Sequence, residues 1–152
     1  MKISKRLLIL IYFTAFSVNG IAESVPQSES DAARISMLEK ALTPDTAEAV
    51  ATLFAKANKE RNGAVQFMLF SDQLKNKYKD SWPYWVSGVS SPWITSFTIK
   101  KIEGQQFQIT YQWATASGPF KPALIQTITV APVKKMNSSQ KFWITQFNES
   151  KN

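Results

Sequence analysis

Phe107-Gln108-Ile109-Thr110-Tyr111-Gln112-Trp113 alternates apolar and polar residues without a break. A period of two puts the four apolar side chains on one face of an extended strand and the three polar ones on the other. The segment therefore predicts a strand with one face on a core and one in water. The same period precedes it, where Phe97 and Ile99 alternate with Thr98 and Lys100, and Glu103-Gly104-Gln105 supplies the hairpin. A third strand is expected from about Lys121 to Val133 around Ile125, Ile128 and Val130. A fourth runs from Lys141 to Phe147 around Phe142, Trp143, Ile144 and Phe147. Ser117-Gly118-Pro119 and the stretch Lys134 to Ser139 hold the turn residues that separate them.

Upstream the period is helical. Asp31 to Leu42 reads as a short helix, capped by Ser30 or Asp31, with Ile35, Leu38 and Leu42 at helical spacing. The next start signal is stronger: Thr43 at the N-cap, Pro44 at the first helical position, and Asp45 and Glu48 where negative charge suits the helix dipole. Ala47, Val50, Ala51, Phe54 and Ala57 then form one apolar stripe, and Asn62-Gly63 ends the helix. Ala64 to Phe70 is dense in apolar residues and predicts a buried two-turn helix, although its Phe content also fits a strand. Ser71 or Asp72 caps another short helix through Tyr78. Helices followed by a four-stranded antiparallel meander define an α+β fold.

The first 22 residues form a separate unit. Lys2, Lys5 and Arg6 precede an apolar run from Leu7 to Phe16 and a small-residue end at Gly20-Ile21-Ala22, the pattern of a cleaved export signal. The run is about half of the roughly 20 residues that span a bilayer, so cleavage after Ala22 is expected and no membrane span remains. The product is expected to be periplasmic or extracellular. Glu23 to Ser30, rich in Ser, Glu, Gln and Pro, reads as a flexible leader, and residues 31–150 as a single domain.

Composition narrows the chemistry. The 152 residues include no His and no Cys. That excludes imidazole bases, Ser-His and Cys-His nucleophile pairs, thiolate redox and zinc sites built on nitrogen or sulfur. No cofactor or metal is expected. Losing the three basic residues of the signal lowers the formal surplus from +7 to +4. With that modest charge and no binding motif, nucleic acid is not an expected partner. Without disulfides the exported fold rests on apolar burial alone.

Strands carrying aromatics on one face coil around whatever covers them, and the cover here is the Thr43–Arg61 helix. The expected shape is a cone whose open end is a pocket. This layout is similar to the nuclear transport factor 2-like (cystatin-like) superfamily. Arg61-Asn62-Gly63-Ala64 with Gln66, Trp85-Val86-Ser87-Gly88-Val89-Ser90-Ser91-Pro92-Trp93 and Thr115-Ala116-Ser117-Gly118-Pro119-Phe120 resemble segments of exported bacterial domains of that type. The resemblance covers Thr43 to Phe147 and implies a fold more than a function, since the superfamily hosts isomerases, dehydratases, binding modules and assembly domains. Its enzymes mostly work with Asp, His and Tyr inside the cone. Without His, the catalytic alternative is reduced to Asp80 with Tyr84 or Tyr111, and a base there needs burial to raise its pKa.

The binding alternative rests on Tyr84, Trp85, Trp93, Trp113 and Phe120, which gather around Ser-Gly and Ser-Pro loops and predict an aromatic-lined mouth for a sugar, peptide or other flat group. The opposing reading is that they fill the core. Ser138-Ser139-Gln140-Lys141 matches a Ser-x-x-Lys pattern but lies in a turn without its partner motifs, so chance explains it. Lys75, Lys77, Lys79 and the pairs Lys100-Lys101 and Lys134-Lys135 read as solvated surface and edge protection. Ile94, Ile102, Trp143 and Phe147 leave both sheet faces partly apolar. Either the curl encloses them or a second chain packs on the sheet as a homodimer. The sequence thus favours an exported, non-catalytic domain that binds a small molecule or an envelope protein, with an Asp–Tyr isomerase or dehydratase and a sheet-paired assembly domain as alternatives.

Overall fold

The computed structural model describes residues 27–81, 91–134 and 140–151. Four helices, α1 (Gln27–Leu42), α2 (Ala47–Lys59), α3 (Gly63–Met68) and α4 (Asp72–Tyr78), precede four strands, β1 (Trp93–Lys101), β2 (Gln106–Thr115), β3 (Gly118–Pro132) and β4 (Phe142–Lys151). The strands form one antiparallel sheet in sequence order. The α+β layout read from the two periodicities is the observed one.

Several boundaries differ from the sequence reading. Helix α1 begins at Gln27, inside the stretch expected to be a flexible leader, because Ser and Gln are tolerated in a helix and Glu29 and Asp31 lie near its positive end. The N-cap of α2 is Thr46, not Thr43: its Oγ1 accepts from the Ala49 amide at 3.1 Å. Thr43 instead closes α1, donating its hydroxyl to the Glu39 carbonyl at 2.6 Å. At the end of α2, Arg61 takes the left-handed conformation (φ 59°), and Asn62 caps α3 by accepting from the Val65 amide at 3.2 Å. The apolar segment 64–70 divides its character between helix and strand. Helix α3 stops at Met68, and Phe70 then bridges Ile144 of β4, with the Ile144 amide donating to the Leu69 carbonyl and the Ser71 amide to the Ile144 carbonyl, each at 2.9 Å.

Helix α2 lies on the concave face of the sheet. Its stripe of Ala47, Val50, Ala51, Phe54, Ala55 and Ala57 is buried against Phe107, Ile109, Tyr111, Leu124, Ile128, Val130 and Ile144. The closed end of the curve is filled by rings: Phe147 lies 5.9 Å from Phe54, 5.7 Å from Phe70 and 5.8 Å from Tyr78. Register shifts at Ile94/Ser96, Tyr111/Trp113 and Thr129/Val130 are bulges, which bend the strands around this core. Two ion pairs, Lys101 with Glu48 and Lys141 with Asp45, tie the sheet to the N-terminal end of α2.

The outer face carries both polar and apolar residues. Pairing places Thr98 beside Thr110 and sets Lys100, Gln108, Thr127 and Asn148 in one row, with Gln106, Thr129 and Gln146 in the next. Ile94 and Phe147 both pack on the core face. Ile125, Ala131 and Trp143 interrupt this polar pattern, being out of phase with the buried Leu124, Val130 and Ile144, and Trp93, out of phase with Ile94, is 38% exposed, so the outer face stays partly apolar.

Candidate functional site

The concave face carries one line of polar groups among its apolar side chains. Gln126 alternates with Leu124 and Ile128 on β3 and is 3% exposed. Its Oε1 accepts from the Asn58 Nδ2 of α2 at 3.3 Å, and its Nε2 donates to the Glu149 Oε2 of β4 at 3.0 Å. Glu149 pairs with Gln126 in register and sits at the exposed end of the line, and no ion pair to it forms among the described residues. A buried amide needs partners on both its atoms, and here helix and neighbouring strand supply one each.

Tyr111 stands next to this line on β2 and is fully buried. Its hydroxyl has no hydrogen-bond partner among the described residues. Burial pushes the phenol far above its ordinary range. The Asn58 amide, near but short of hydrogen-bond geometry, opposes that shift, and the charge of Glu149 adds to it. The hydroxyl is therefore neutral at any ordinary pH and able to donate. Two residues along the same strand face, the Trp113 indole Nε1 is also buried without a partner among the described residues. Its ring meets Phe120 edge to face at 6.4 Å, and Phe120 is 44% exposed. Moving along β2, the surface passes from a rim of two rings to a buried hydroxyl and then to the amide–carboxylate line.

Of the aromatic residues that the sequence singled out, two meet here. Trp113 and Phe120 come together as expected, since they are register partners across the β2–β3 hairpin. Trp93 does not join them: it pairs with Ala114, one residue out of phase with the core-facing Ile94, and so leaves the opposite face of the sheet. Tyr84 and Trp85 lie outside the described residues, as does Ser138 of the Ser-x-x-Lys pattern. Asp80 is exposed in a short 3-10 turn, Lys79–Ser81, after α4, away from the concave face that holds Tyr111.

The residues missed by sequence reading are Asn58, Gln126 and Glu149. The fourth strand was expected to stop at Phe147, yet β4 runs on to Lys151 and continues the parity of Phe147 into Glu149. That parity was the available signal. Asn58 and Gln126 gave none, because a single polar residue on an apolar face shows its purpose only when its partner is known.

A recess of about 430 Å³ lies between α4 and β4, where Gln73, Lys77, Thr145 and Asn148 surround the edges of Leu74 and Phe147. Among the described residues, no unpartnered buried atom lines it. No group of three or more carboxylates that could hold a metal ion occurs among the described residues, and none of their helices is long and apolar enough to cross a membrane. No protein-family model, curated protein or solved structure matches this chain.

Proposed function

We propose that the chain is an exported, non-catalytic binding domain of the cone-shaped nuclear transport factor 2-like type, which takes a small neutral ligand on the concave face of its sheet. The observation that carries this reading is the Tyr111 hydroxyl, buried and unpartnered at the head of the Asn58–Gln126–Glu149 line. An unsatisfied buried donor costs about 1–3 kcal/mol, and a ligand oxygen accepting from it recovers that cost. The Trp113 indole offers a second donor of the same kind, Phe120 an apolar contact, and Glu149 an acceptor at the open end. Donors, an acceptor and rings on one face of the sheet suit a ligand with both hydroxyl or carbonyl oxygens and an apolar face, such as a sugar. An anionic ligand is disfavoured by the carboxylate.

The N-terminal signal pattern supports export to the periplasm or beyond. The exposed position of Asp80 and the absence of histidine weigh against the isomerase or dehydratase reading. Thermal-shift measurements with neutral mono- and disaccharides, including N-acetylated amino sugars, test the proposal. At least one is expected to raise the melting temperature of the wild type and not that of Tyr111→Phe. No shift with any of these sugars, or a shift that Tyr111→Phe leaves intact, overturns it.

A further inference from the structure

Helix α1 carries Ile35, Leu38 and Leu42 at 57%, 63% and 52% exposure, a stripe left open to solvent. Their spacing, three then four residues, is that of successive a, d and a positions in a heptad. Isoleucine at a with leucine at d is the combination that favours two parallel strands. We propose that this stripe is the seam of a parallel two-stranded coiled coil between two copies of the chain.

The charges beside the stripe fix the orientation. Arg34 falls at position g and Glu39 at position e of the next heptad, so a parallel pair sets each Arg34 beside the partner's Glu39, twice by symmetry. Among the described residues Arg34 meets only an exposed contact to Asp31 at 3.4 Å, which is easily exchanged. An antiparallel pair would instead set Leu42 against the partner's Asp31 and lose the crossed ion pairs. The seam has three apolar layers and ends at Asp31, so its interface is smaller than that of standard stable complexes and the dimer is reversible.

Sedimentation velocity of the intact chain, over a wide concentration range reaching the millimolar, reads the association directly. The expected result is a mass rising from monomer towards dimer. Leu38→Glu weakens the association by about tenfold or more by placing like charges in the seam, with an unchanged far-ultraviolet spectrum showing that the body remains folded. Arg34→Glu alone and Glu39→Arg alone each weaken it, and the double exchange R34E/E39R restores it. A wild type that stays monomeric at every concentration overturns the proposal, as does a dimer indifferent to Leu38→Glu. Failure of the double exchange to restore association overturns the parallel register.

Discussion

Asn58 of α2 and Gln126 of β3, 68 residues apart in sequence, are joined by a side-chain hydrogen bond of 3.3 Å in the interior of the curved sheet. The contact connects the C-terminal half of the core helix to the centre of the meander, and it puts Gln126 in position to reach Glu149 at 3.0 Å.

Replacing Gln126 with Leu removes the partner of both Asn58 and Glu149. Leaving the half-buried Asn58 amide unsatisfied costs about 1–3 kcal/mol, partly offset by apolar burial of the leucine. Urea denaturation is expected to show a net loss of stability. The double variant N58L/Q126L is expected to lose less than the sum of the two single variants, the sign of two residues acting as a pair.

Tyr111→Phe is expected to leave the unliganded protein as stable as the wild type or more so, by up to about 1–3 kcal/mol, because it deletes a hydroxyl that is buried without a partner. A marked destabilisation in urea would mean that the hydroxyl is satisfied in solution.

Phe54 is fully buried and touches the ring cluster at both Phe70 and Phe147. Phe54→Ala is expected to cost about 3–5 kcal/mol, among the largest losses in the chain. Thermal unfolding followed by near-ultraviolet circular dichroism reads both the stability and the loss of ring packing.

Thr46→Ala removes the hydroxyl that caps α2 and is expected to cost about 1 kcal/mol. Thr43→Ala, at the position the sequence singled out, leaves that cap intact, so its effect on the midpoint of unfolding is expected to be smaller.

The Lys101 ammonium holds the Glu48 carboxyl below its ordinary pKa through a hydrogen bond of 2.8 Å, helped by the backbone amide of Glu48 itself. A depressed folded-state pKa contributes stability that is present above the unfolded-state value and is lost as pH falls through the folded-state value. The pair therefore adds to the acid limb of the stability profile, modestly, since both groups are exposed. Lys101→Met is expected to flatten that limb, and raising the salt concentration to reduce the difference between the two proteins.

The strands from Phe97 to Trp113 were legible because half-buried strands alternate, and the stripe from Ala47 to Ala57 because a helix facing a core repeats every three to four residues. The cap of α2 was misread because Thr43-Pro44 and Thr46 both satisfy local rules for a helix start. The choice fell to Thr46 once Thr43 was bonded back to α1. Which face Phe147 and Ile94 take was open for a different reason: it depends on register shifts that bulges introduce, and bulges leave no periodic mark. The candidate site was half visible. Trp113, Phe120 and Tyr111 stand out by type, whereas Asn58, Gln126 and Glu149 look like ordinary polar residues until the sheet brings them together.

The sequence by itself determined the α+β class, the order of the elements and the chemistries that are absent, because periodicity and residue type act over a few neighbouring positions or none. Only the tertiary structure decided which polar groups meet on the concave face, that Tyr111 is buried without a partner, and that the stripe of α1 is left open. Those facts depend on register and on contacts between residues far apart in the chain, where geometry and desolvation, not local preference, fix the outcome.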